Sequence, residues 1–230
     1  MDSYEIIIPK NAPEKDFLYD SILNLEECEA QDFSYLHHNK ISIKINPDYH
    51  DKLLDIIADA ITIFYKFRLL NNGLWNNKFS IFDNYAFLGA LLSVDKESEI
   101  NEIKKATKLL VSIAPHSLYE FRLNRLKKNW QSLLELSKTL VKDVVSTTEL
   151  YEIISYFVSS SLNCPKVTIT DTTPLKLWIN DNLITPIPIT DDNNINLLIT
   201  AMREHPSHII IKNQELLNDD LLNTFRALGQ

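Results

Sequence analysis

Two hydrophobic periods run through this chain, one of about two residues and one of about three and a half, and they predict its elements. Tyr4-Glu5-Ile6-Ile7-Ile8 is rich in β-branched side chains and ends at Pro9, which predicts a short strand. A helix is predicted from about Glu14 to Glu29, with Phe17, Ile22 and Leu25 as its apolar positions. Ile41, Ile43 and Ile45 then alternate with Ser42 and Lys44, the pattern of a half-buried strand. The N-terminal quarter therefore reads as β-α-β.

Asn46-Pro47-Asp48 is a helix start: Asn caps, Pro fits the first turn where its missing N–H costs nothing, and the Asp carboxylate favours the positive end of the helix dipole. The helix it opens is expected to reach Leu70. Its apolar positions, among them Leu53, Leu54, Ile57, Ile61, Phe64 and Phe67, cover more than one face, which marks a core helix packed on several sides. Asn71-Asn72-Gly73 is expected to end it, since Gly and Asn tolerate left-handed backbone.

Two helices are predicted at 82–93 and 97–113, with Asp95 near the start of the second and Pro115 beyond its end. Tyr119, Leu123, Leu126, Trp130, Leu133, Leu140 and Val144 recur at steps of three and four, broken only by Ser137. That is the stripe of one long amphipathic helix, lying across a core rather than in a free coiled coil. Another helix is expected at 147–161.

The pattern changes after Cys164-Pro165. Val167–Thr170, Leu175–Ile179 and Leu183–Ile187 read as strands, the last two joined at Asn180-Asp181-Asn182, whose residue types accept positive φ. Asp191 or Asp192 caps a helix bearing Ile195, Leu198, Ile199 and Met202, and Pro206 stops it. His208–Ile211 is a strand, Asn213 a cap, and Leu216–Leu228 a final helix before Gly229. The fold class is α+β: a predominantly helical middle, short strands near the N-terminus, and a C-terminal β-hairpin followed by α/β/α. Residues 1–163 form a mainly helical domain on this reading, and 164–230 a small α/β region packed on it.

Composition narrows the function classes. With 45% apolar and 10% aromatic residues the chain is globular rather than disordered. Its net charge of −8 argues against general affinity for nucleic acid, which depends on excess Lys and Arg. There are 3 glycines, Gly73, Gly89 and Gly229, where average usage gives about 16. Phosphate-cradling loops cannot be written from them. Cys28 and Cys164 form no CxxC pair, which suits a reducing compartment. The first residues lack a basic region followed by an apolar one, and Leu53–Leu70 carries Asp55, Asp59, Lys66 and Arg68, so a cytoplasmic chain without a membrane span is expected.

The strongest surface candidate is basic. Arg122, Arg125, Lys127 and Lys128 lie within two turns and could hold a partner or an anion, although Glu120, Gln131 and Glu135 beside them also suit a solvated face with local ion pairs. His205 and His208 flank Pro206, which breaks the helix that a metal-binding HExxH arrangement needs, and His37-His38 point to opposite faces of a strand. The acidic pairs Glu26-Glu27, Asp191-Asp192 and Asp219-Asp220 sit where helices cap or turn. Trp75, Phe79, Phe82, Tyr85 and Phe87 either line a pocket or pack between helices. No cofactor is implied.

Leu197–Met202, Pro206, Ile209–Ile211, Asn213, Leu221 and Thr224-Phe225-Arg226, together with Phe121-Arg122-Leu123 opening the long helix, resemble the YtxC-like sporulation proteins of endospore-forming bacteria. The resemblance implies a cytoplasmic role in spore formation and no particular reaction. The expected function is thus binding of a macromolecular partner, most simply a protein. The alternative is an enzyme or small-ligand sensor whose site is assembled from residues distant in sequence.

Overall fold

The computed structural model describes residues 2–25, 28–34, 38–159, 166–170, 176–204, 206, 208–212 and 218–228. The fold is α+β, with strands in the N-terminal and C-terminal parts around a helical middle. Two compact units divide it: Met1–Leu69 with Asp95–Leu133, and Leu70–Val94 with Leu134–Gln230. This differs from the expected division into 1–163 and 164–230, because helices from the middle of the chain share a core with its C-terminal part.

In the first unit, β1 (Asp2–Pro9), β2 (Cys28–Ser34), β3 (His38–Ile45) and β4 (Ser112–Ile113) form a sheet in the order β2-β3-β1-β4. β3 runs antiparallel to both neighbours, and β4 parallel to β1. The alternation read from the sequence sets the inner face: Tyr4 faces Ile43 and Ile6 faces Ile41 across the ladder, and all four are buried. α1 (Lys15–Leu23) is shorter than expected. The segment after it pairs with β3 as an edge strand, although Cys28–Ser34 shows no alternation that would announce one.

Asn46 caps as expected, its Oδ1 accepting from the Asp48 N–H at 3.2 Å. The predicted single helix is three consecutive pieces after a 3-10 turn at Pro47–Tyr49: α2 (His50–Ala60), a π-helical turn (Ile61–Lys66) and α3 (Phe67–Leu74). Every residue of the π turn is buried, including Thr62 and Lys66. Gly73 does not end the helix, and no described glycine has positive φ. Its role is close approach instead, since a Cβ there would lie 2.7 Å from Leu134 Cδ1.

α5 (Lys96–Thr107) stops well before residue 113, because Ser112-Ile113 leaves to pair with β1 and bury Ile113. Pro115 then opens α6 (Pro115–Phe121) rather than following a helix end, as suits a residue whose missing N–H is harmless in a first turn. The long amphipathic helix is thus two, with a break at Arg122-Leu123 before α7 (Asn124–Val141). Its buried stripe is Leu123, Leu126, Trp130, Leu134 and Ser137, while Leu140 is exposed.

In the second unit, α4 (Ile81–Ser93) is the centre. It begins in a capping box between Ser80 and Asp83, and from Ala86 onward it is buried on every side. α8 (Thr147–Ser159), α9 (Asn193–Arg203) and α10 (Asp219–Leu228) pack around it. Gly89 admits α9: a Cβ there would lie 2.8 Å from Met202 Cβ and 3.2 Å from both Cα and O of Ile199. β5 (Lys166–Thr170), β6 (Lys176–Ile179), β7 (Asn182–Ile184) and β8 (His208–Ile211) form a sheet in the order β7-β6-β5-β8. The β6–β7 turn holds Asn180 and Asp181 at φ 47° and 64°, the left-handed pair expected from their side chains. Asp192 caps α9, accepting from the Asn194 N–H at 2.8 Å. Cys164, Leu175, Asn213, Leu216 and Gly229, which entered the sequence reading, lie outside the described residues.

Candidate functional site

The basic run occupies the corner between α6 and α7 in the first unit. The chain leaves α6 at Arg122, whose N–H still donates to Leu118 O at 2.9 Å, and α7 starts by bonding back to Leu123, which accepts from Lys127 N–H at 3.0 Å. Leu123 is buried and anchors the corner. Phe121, on the other side of Arg122, is 78% exposed.

The four cations do not behave alike. Arg125 grips Glu102 of α5 in a fork: its Nε lies 3.0 Å from Oε2 and 3.1 Å from Oε1, and its Nη2 contacts Oε2 as well. This pairing raises the pKa of the guanidinium. Lys127 donates to the Glu120 carbonyl at 2.9 Å and carboxylate at 3.0 Å, and lies over the Tyr119 ring, 4.6 Å from its centroid. Arg122 and Lys128 are exposed. Arg122 is the C-cap residue of α6, where its charge complements that helix's dipole, and Lys128 stands in the second turn of α7, past the turn in which that helix's dipole acts. What the corner offers chemically is an apolar ring beside guanidinium and ammonium donors suited to carboxylates.

A second set of polar residues lies inside the same unit. Lys66 Nζ, fully buried at the end of the π turn, donates to Glu99 Oε1 at 2.8 Å, and the Trp130 indole N–H donates to the same oxygen at 2.8 Å. Burial raises the Glu99 pKa, opposed by Lys66 and by the two hydrogen bonds. Next along the π turn, the Tyr65 hydroxyl donates to buried Glu14 at 2.6 Å. Burial and that carboxylate push the tyrosine pKa up. Tyr119 stacks on Tyr65 at 4.5 Å and on Trp130 at 5.9 Å, so one aromatic layer joins the two carboxylates. Among the described residues, the buried Glu14 Oε2 and Glu99 Oε2 have no hydrogen-bond partner.

Neither contact was legible in advance, since the partners stand 51 and 33 residues apart. The one available signal was Lys66 itself, a cation flanked by Phe64, Tyr65 and Phe67 within a core helix.

The remaining candidates resolve into structure. Asp192 caps α9, and Asp219-Asp220 occupy the first turn of α10. Glu26-Glu27, His37 and His205 lie outside the described residues, and His208 is exposed on β8. Among the described residues no His, Cys, Asp or Glu cluster could hold a metal ion. In the second unit Trp75 meets Tyr85 edge-on at 5.5 Å, and Phe79 and Phe87 border a cavity of about 10 Å³ beside Asn84 and Leu150. That is the lower limit of space for one water. Among the described residues no helix is long and apolar enough to cross a membrane.

No family model matches this chain, and no curated protein or solved structure is significantly similar to it, so the likeness to the YtxC-like proteins rests on the residues quoted above alone.

Proposed function

We propose that the chain works by binding an acidic protein partner at the α6–α7 corner, as a sporulation-associated protein of the kind its likeness to the YtxC-like family implies. The observation that carries this reading is Phe121, 78% exposed, next to exposed Arg122 at the helix junction, with Lys128 exposed in the second turn of α7. Aromatic residues and Arg are enriched at protein interfaces, and the surrounding cations select for carboxylates. A chain of net charge −8 meets acidic partners with overall repulsion, so a local cationic corner also fixes where they dock.

The test is affinity capture from sporulating cells with the wild-type chain, with Arg122→Glu combined with Lys128→Glu, and with Phe121→Ala. All three positions are exposed, so thermal unfolding should be unchanged. Both variants should lose the captured protein, and capture that survives charge reversal overturns the assignment. Capture of nucleic acid instead would reassign the corner to phosphate. The alternative of a small-ligand sensor draws support from the unpartnered oxygens of Glu14 and Glu99, and thermal stabilisation by a metabolite that depends on Glu14 would favour it.

A further inference from the structure

The turn between α5 and β4, in the first unit, carries the most exposed large apolar side chain among the described residues. Leu109 is 92% exposed and Val111, two residues on, 65%. A side chain so exposed is touched by almost nothing, so it projects from the surface. The turn beneath it is well held. Lys108 and Leu110 donate backbone bonds to Lys104 O and Thr107 O at 2.9 and 2.8 Å, the Thr107 hydroxyl donates to Ile103 O at 2.8 Å, and Val111 O accepts from Glu5 N–H at 2.8 Å. This apolar tip is therefore a fixed feature of the fold.

The charges around the tip are one-sided. Lys105 and Lys108 are exposed and have no ion-pair partner among the described residues. Lys104 pairs with Asp55 at 2.9 Å, and Glu5, whose backbone N–H donates to Val111 O, pairs with Lys40. Lysines at the C-terminal end of α5 complement its dipole, which accounts for their presence. It does not account for Leu109 and Val111, which gain nothing from water.

We propose that the 105–111 turn is a membrane-surface contact, in which Leu109 and Val111 enter the headgroup boundary of an anionic bilayer while Lys105 and Lys108 meet lipid phosphates. The residue types favour lipid over a protein groove. The apolar contacts are aliphatic, without the Trp, Tyr or Arg that anchor protein interfaces, and Lys is a point charge that needs no planar, bidentate partner. Two short apolar side chains with two lysines give weak, reversible attachment that depends on lipid charge. The net charge of −8 opposes approach only at long range, because physiological salt screens it beyond about 8 Å.

Co-sedimentation of the full chain with vesicles of phosphatidylcholine plus phosphatidylserine, against phosphatidylcholine alone, tests this. Binding should appear only with the anionic lipid and fall as salt rises. Leu109→Ser should weaken it by about tenfold, the scale of one lost aliphatic burial, and Lys105→Glu with Lys108→Glu should abolish it, each with unchanged thermal unfolding. No binding to either vesicle, or binding indifferent to Leu109→Ser, overturns the proposal. So does Leu109-dependent sedimentation without lipid, which would assign the tip to a second copy of the chain. Arg122→Glu with Lys128→Glu should leave vesicle binding intact, and loss of binding there would place the contact at the α6–α7 corner instead.

Discussion

Removing one member of the Lys66–Glu99 pair should harm the protein far more than removing both. Lys66 is fully buried and Glu99 5% exposed, with 2.8 Å between Nζ and Oε1. Lys66→Met leaves the buried Glu99 carboxylate without the Lys66 ammonium, and Glu99→Leu leaves the buried Lys66 ammonium without the Glu99 carboxylate. Each should cost about 3–5 kcal/mol. The double substitution leaves no charge. It still leaves the Trp130 indole N–H without its Glu99 acceptor, at a cost of about 1–3 kcal/mol. The double variant should therefore be at least about 3 kcal/mol more stable than the sum of the single effects predicts.

Urea unfolding followed by Trp130 fluorescence measures this, with Trp75 and Trp178 replaced by Phe so that only the first unit reports. Additive losses would refute the reasoning. So would single losses below about 1 kcal/mol, which would mean that water reaches the pair.

The same carboxylate makes a pH prediction. Its folded pKa is raised above the ordinary 4.5, so its contribution to stability is fully present below that value and is lost as pH rises through the folded pKa. The stability difference between wild type and Glu99→Gln, measured by urea unfolding across this range, should thus shift toward the variant as pH rises; a shift toward the wild type would contradict the burial argument. In the second unit, Gly89→Ala would place a methyl group 2.8 Å from Met202 Cβ and 3.2 Å from the Ile199 backbone. Forcing α9 away from α4 should lower stability by about 1–3 kcal/mol, whereas Gly73→Ala, which meets the movable end of Leu134, should cost less in the same unfolding measurement.

What could be read in advance was whatever is encoded over a few residues. Asn46-Pro47, the Asn180-Asp181 turn and the Asp192 cap act through their own side chains on adjacent backbone, and each stands where the sequence places it. The features that escaped depend on distant partners. Cys28–Ser34 is a strand because β3 offers it a ladder, and Ser112-Ile113 because β1 does. Pro115 carries the same information before a helix as after one. Trp130 was legible as a core position, but the acceptor for its indole lies 31 residues away. The basic corner was visible as a charge run, and what the sequence could not supply was the division of labour within it. Glu102, which takes up Arg125, lies on another helix.

The order in which the chain is made gives α4 a further significance. Its sides are apolar almost all round, yet α9, which covers one of them, begins about 100 residues later, an interval of roughly 5–20 s at ordinary rates of elongation. For that time the nascent polypeptide carries an oily segment whose mate does not yet exist. Ribosome-associated chaperones should engage it there, and a version truncated before α9 should precipitate rather than fold.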